Sequence, residues 1–264
     1  MRPAGVLFLG DFWHRRGAIP VAPLAAAVEA FRAWRAPTLL LAGNHDMATL
    51  DGRLHALDAV AAAAPEGNVQ VIAEPCTALG AAWLPYRRKP AEINAALEAA
   101  AAARPAAVFC HADVLGANVN ESHQSALGLT PSAFGLAGDA VRGVYSGHYH
   151  KPQRLEAKDA SHPPIEYVGS PYQQSFSEEG QDKRLLVFSN DGAWTKLDEI
   201  ALDVGPRHYS VELKDLMANA GSAAALVRNA AVESEALATS RTTTTLTMET
   251  SSNKFTCRKV STLF

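Results

Sequence analysis

The chain has 264 residues, enough for one or two domains around a sizeable core. Its composition, 48% hydrophobic and 19% charged, argues against a disordered or fibrous chain, and a net charge of −3 gives no global basic footprint for nucleic acid. No apolar stretch approaches the ~18–20 residues of a membrane span, and three cysteines without CxxC spacing (Cys76, Cys110, Cys257) argue against a disulfide framework or a cysteine zinc site.

In chain order, Val6–Leu9 is a short apolar run ending at Gly10-Asp11, which reads as a buried strand feeding a loop. Residues 20–35 carry apolar side chains at helical spacing, with Pro23 near the start where proline is tolerated. Thr38–Ala42 is a second buried strand, closed by Gly43-Asn44-His45-Asp46. A helix over 54–64 stops at Pro65, and 69–73 and 78–85 read as two strands. Residues 90–103 form a helix between Pro90 and Pro105. Strands then follow over 106–110, ending at His111, and over 141–146, ending at Gly147-His148-Tyr149-His150. Later strands fall at 165–169, 185–189 and 194–200. The order is strand-helix-strand at the front and mostly strand at the back, which predicts a layered α/β fold with two packed mixed sheets flanked by helices.

Four of these strands end in residues able to hold a metal: Asp11, Asn44-His45, His111, and His148 with His150. Sites in α/β proteins are built from the loops at the carboxyl ends of strands. One carboxylate, one amide oxygen and several imidazoles suit manganese, iron or zinc. Two such ions about 3.5–4 Å apart grip a phosphate and activate water for in-line displacement. Each piece by itself is compatible with a turn or a satisfied core histidine; the order of all four points to metal chemistry.

The order GD…GNHD…H…GHxH resembles the calcineurin-like metallophosphoesterase superfamily, and within it the SbcD-type DNA repair nucleases. The subgroup resemblance rests on Gly10–Gly17, on Leu84-Pro85-Tyr86, and on Tyr167–Pro171 followed by Ser175–Glu178 and Lys183. It spans about residues 5–210, and implies a four-layer sandwich over residues 1–205 and a partial capping region over 206–264. By this resemblance Asp11 bridges two metals, Asn44, His111 and His148 complete the second site, and His150 belongs to the first. His45 stabilises developing charge or protonates the leaving oxygen, and Asp46 orients His45. The implied reaction is metal-dependent phosphodiester hydrolysis, with manganese as the expected ion and iron or zinc as alternatives. DNA is the implied substrate. A homodimer and a coiled-coil ABC ATPase (SbcC-like) are the implied partners, with no membrane. Small-molecule phosphoesters and a non-catalytic metal-binding role are the rival readings.

The family's Asp-x-His motif lies well upstream of its GD segment, whereas only ten residues precede Asp11, with neither Asp nor His among them. The expectation is therefore a core lacking its first strand, with one complete metal site and one reduced to Asp11 and His150. Nothing at the start reads as a signal peptide, which predicts an intracellular protein, organellar targeting being left open by the shortened start. His14 stands where the family commonly has Asp. Arg15-Arg16, Arg87-Arg88-Lys89 and Lys183-Arg184 are the local basic clusters, the second being the prime candidate for phosphate contact. Leu213–Ala238 reads as one or two helices, and 242–264 as a polar tail, partly disordered.

Overall fold

A computed structural model describes residues 3–212, apart from 16, 50, 53, 121–122, 158–160 and 190, and the strands over 244–251 and 254–261. The front of the chain is a parallel sheet of three strands in the order β1-β2-β3: Val6–Phe8, Thr38–Leu41 and Val69–Ile72. Its crossovers contain helices α1 (Val21–Ala33) and α2 (Asp58–Ala63). Proline sits at the start of α1, where its missing N–H costs nothing, and Leu24, Ala27 and Phe31 recur on the face turned to the sheet.

A second, mixed sheet has the order β4-β5-β6-β7-β9-β8. It comprises Cys76–Ala78, Ala81–Leu84, Ala107–His111, Gly143–Gly147, Ile165–Tyr167 and Gln153–Leu155. The central pairings β5-β6, β6-β7 and β7-β9 are parallel, while β4-β5 and β9-β8 are antiparallel at the edges. Strands β5 and β6 are buried along their whole length, which is why they read as continuous apolar runs.

Three apolar clusters hold these layers. Leu41 and partly buried Leu7 and Leu39 of the first sheet meet Trp83 and Phe109 of the second. Trp83 and Phe109 stack with centroids 4.7 Å apart. Behind the first sheet, Leu40 and Ala42 pack with Phe31 of α1 and Val60 of α2. Behind the second, Val108 and Val144 pack with Ile93 and Leu97 of α3 (Pro90–Ala101) and with Phe134 of a 3₁₀ turn, Pro131–Ala137. The fold is α/β, with several sheets and few helices.

Three expectations need correction. The run 78–85 is not one strand: Leu79 and Gly80, both at positive φ (55° and 73°), turn the chain back between β4 and β5. Positive φ at both central residues matches the twist of a tight hairpin, although glycine fills only one of them. Strand β8 was not anticipated, being short, polar and at an edge. Beyond β10 (Lys183–Phe188) and its antiparallel partner β11 (Lys196–Leu202), the chain forms β12 (Arg207–Glu212). The tail supplies β13 (Thr244–Ser251) and β14 (Lys254–Ser261), in a sheet ordered β12-β14-β13. Threonine-rich polar sequence looked disordered, yet β-branched residues suit an extended backbone. The helices expected over 213–238 lie outside the described residues.

Candidate metal centre

The carboxyl ends of β1 and β2 in one sheet face those of β6 and β7 in the other. His111 ends β6 opposite Gly147 at the end of β7, and its Nδ1–H donates to the Leu9 carbonyl at 2.6 Å. A Cβ on Gly147 would strike that same carbonyl, and one on Gly43 would strike Asp11, so glycine permits the close approach at both places.

The backbone beyond β1 is held by Asp46, whose side chain is buried. Its Oδ2 accepts the amides of Asp11 and Gly43, each at 2.8 Å, and its Oδ1 that of Trp13 at 2.9 Å. Burial raises the Asp46 carboxyl, against the pull of the Trp13 and Gly43 amides and with help from the Asp11 charge. Asp46 therefore shapes the Asp11 loop. The expected contact with the His45 ring is not made: His45 Nδ1–H donates instead to the His14 carbonyl at 2.8 Å, leaving the ring's chemistry to Nε2. The exposed His14 ring stacks on that of His45, 5.5 Å away and 10° from parallel.

Asp11, at φ 59°, accepts the His45 amide on Oδ1 at 2.8 Å, and its Oδ2 lies 3.3 Å from His111 Nε2. Burial opposes its ionisation, but His111 and the His45 amide outweigh burial and bring the carboxyl down to about 2. Fully buried His111 is pulled down by burial and pushed up, on balance, by Asp11. Asn44 Oδ1 is 3.0 Å from both His111 Nε2 and His148 Nδ1, and those two nitrogens are 3.2 Å apart. Ligand atoms of Asp11, His111 and His148 all lie within 4.8 Å of one another and can hold a metal ion.

The proton inventory of this group argues for a cation. His111 spends its Nδ1–H on the Leu9 carbonyl, which can only accept. His148 Nε2 faces the Asp113 carboxylate at 3.0 Å, which fixes that ring's proton on Nε2. In the tautomers these partners select, His111 and His148 turn Nε2 and Nδ1 toward Asn44 Oδ1, and His111 Nε2 also faces the Asp11 carboxylate, so four groups able to ligate a cation converge. Metal–nitrogen bonds of about 2.0–2.1 Å place neighbouring ligand atoms about 3.0–3.4 Å apart, which these separations match.

His150 is not in this group among the described residues. Its Nδ1 bonds Glu178 Oε1 at 2.9 Å. Glu178 Oε2 pairs with Lys183 Nζ at 2.8 Å and accepts the Ser170 hydroxyl at 3.2 Å. Lys183 also donates to the His150 carbonyl at 2.8 Å. The residues of the 167–183 stretch that suggested the nuclease subgroup thus brace the His150 loop. Despite burial, His150 and Lys183 hold the Glu178 carboxyl down to about 2, while burial lowers the Lys183 ammonium against the pull of Glu178.

This network also removes Lys183 from the list of phosphate-contact candidates. Arg184 is engaged with Glu166 and Glu199, and Arg87 with Glu74 and the carbonyls of Ala73 and Tyr86. Arg15, Arg88 and Lys89 are exposed; Arg16 lies outside the described residues. Two site residues were missed from sequence: Asp113, and Tyr149, whose hydroxyl donates to Asp113 Oδ1 at 2.7 Å. The available signal was the i, i+2 spacing of His111 and Asp113, which carries strand alternation past the end of β6. Tyr86 walls the group, its ring centroid 6.1 Å from that of His148.

Compared with known proteins, the chain matches no family model and no curated sequence. No helix among the described residues is long and apolar enough to cross a membrane.

Proposed function

We propose that the chain is a divalent-metal-dependent phosphodiesterase of the calcineurin-like type, with its layers arranged as that family's four-layer sandwich. The observation that carries this reading is the convergence of Asp11, Asn44, His111 and His148, whose neighbouring polar atoms lie 3.0–3.3 Å apart. The three clusters on the faces of the two sheets support the layered arrangement. A cation at this site, manganese being the proposed ion, supplies Lewis-acid polarisation of a phosphoryl oxygen and offsets charge developing on it.

The chain's own residues do the rest. Asp11, Asn44, His111 and His148 bind the ion, and Asp46 holds the Asp11 loop in place. His45 gives its Nδ1–H to the His14 carbonyl, and in its imidazolium form, with a second proton on Nε2, it donates a hydrogen bond or that proton to the leaving oxygen. His150 sits to one side on its Glu178 bond, so the cluster is read as a site for one ion.

DNA is the proposed substrate. A small phosphodiester is the second reading, favoured by the internal commitments of Arg87, Lys183 and Arg184, which turn these three side chains to carboxylates and carbonyls of the chain itself. The test is hydrolysis of bis-p-nitrophenyl phosphate and of linear duplex DNA, each with and without manganese. Manganese-dependent cleavage of either substrate, lowered about 100-fold or more by His45→Ala, is the expected result. Cleavage of the diester alone selects the second reading, and no metal-dependent cleavage of either sinks both.

A further inference from the structure

We propose that Asp113 is the positioning residue that makes His148 a ligand, with Tyr149 as its support. The proposal rests on reading the Asp11, Asn44, His111 and His148 cluster as a metal site. Three observations meet at this carboxylate. Its Oδ1 lies 3.0 Å from His148 Nε2, on the side of the ring opposite the cluster. The same oxygen accepts the Tyr149 hydroxyl at 2.7 Å, so two donors from neighbouring residues converge on it. The backbone of Asp113 is fixed in turn, its carbonyl accepting the Leu129 amide at 2.9 Å beside the Val114–Leu129 bridge.

The physical need for such a partner lies in His148 itself. A neutral imidazole carries one proton and can place it on either nitrogen. With the proton on Nδ1, His148 would point a donor at the cluster and lose the lone pair a cation requires. A carboxylate has no hydrogen to give, so at Nε2 it can only accept and selects the useful tautomer. His148 also sits at φ 90°, a costly backbone conformation for a residue with a Cβ. The bond at Nε2 and the lone-pair face at Nδ1 together define the ring plane that this backbone must supply. Tyr149 holds Asp113 in place, because its ring packs against Tyr167 at 5.0 Å and its hydroxyl reaches the carboxylate from the core.

The role is a tautomer and an orientation, so it predicts more than loss of activity. In metal-free protein, long-range proton–nitrogen correlation spectra should show His148 protonated on Nε2. Asp113→Ala should move that proton partly to Nδ1 and weaken manganese binding, measured by calorimetry, by about 10–100-fold. Asp113→Glu should recover part of the affinity, and Tyr149→Phe should cost less than Asp113→Ala. The Asp113 side chain is 36% exposed, so the alanine variant should keep wild-type circular dichroism, and Asp113→Asn, closer in volume, is the second variant.

Wild-type manganese affinity with an unchanged His148 tautomer in either folded variant overturns the proposal while leaving the metal site standing. Failure of the unaltered protein to bind manganese, matched by an equally silent His111→Ala control, overturns the metal reading and this role with it.

Discussion

Lys183 and Glu178 are ionised groups in a place that water hardly reaches, their side chains 2% and 5% exposed. Such a pair is costly to break from one side only, because the abandoned charge keeps its desolvation penalty. Glu178→Gln removes the charge and leaves Lys183 buried against neutral oxygens, so a loss of about 3–5 kcal/mol in denaturant unfolding near neutral pH is expected. The variant should also change the response to acid. A carboxyl held down to about 2, against an ordinary 4.5, contributes stability that is present above 4.5 and disappears as pH falls toward 2. Unfolding free energy measured in urea across that range should fall steeply in the native metal-free protein. In Glu178→Gln it should fall less, the residual slope coming from the other depressed carboxyls, Asp11 and Asp113 among them. An identical slope in the two proteins would mean that the Glu178 carboxyl is not depressed.

Strand ends are the elements on which the site depends, and Gly147 tests them directly. Its missing side chain lets the Leu9 carbonyl come close enough to receive His111 Nδ1–H. Gly147→Ala forces that carbonyl away, with an overpacking cost of about 1–3 kcal/mol. The His111 tautomer then loses its support, so manganese affinity measured by titration should fall together with the unfolding midpoint. A variant that loses stability but binds manganese as before would separate the packing role of Gly147 from its role at the site. Three of these strand ends were legible in the sequence because an apolar run followed by Gly and a polar ligand is a local pattern, and His111 was legible as the polar residue closing an apolar run. Asp113 was not singled out, because nothing local says which histidine needs a carboxylate behind it. The Leu79-Gly80 turn was hidden in an alanine-rich run whose hydrophobicity does not change across it. The Glu178–Lys183 pair was visible as a motif, but its burial depends on how β10 and the loop after β9 meet. Likewise the Asp46 contacts depend on two loops from different strands, and the expected His45 partnership gave way to nearer backbone amides.

At the scale of the whole molecule, the segment 173–181 links two regions far apart in sequence. On one side, Glu178 holds His150. On the other, Gln173 Oε1 accepts the His208 amide of β12 at 2.8 Å, and Glu179 Oε1 accepts the Ser210 amide at 2.6 Å. Phe176 meets the His208 ring edge-on at 4.7 Å. Gln173 is buried, and its Nε2 donates to the Gln181 carbonyl at 3.2 Å, so one side chain closes the segment on itself and on β12. Gln173→Ala leaves the His208 amide and the Gln181 carbonyl without these partners, at about 1–3 kcal/mol each. If β12 docks as a unit of its own, amide hydrogen exchange should quicken over 207–212 and around 173–181. Protection in β5 and β6, at the centre of the second sheet, should stay as it was. An equal loss of protection across β5, β6 and β12 would instead make them one cooperative body, so that disturbance at β12 is felt throughout. The hydrogen bonds favour the first outcome: Gln173 and Glu179 tie the segment to β12 through side chains, whereas β5 and β6 are buried on both faces and paired along their whole length.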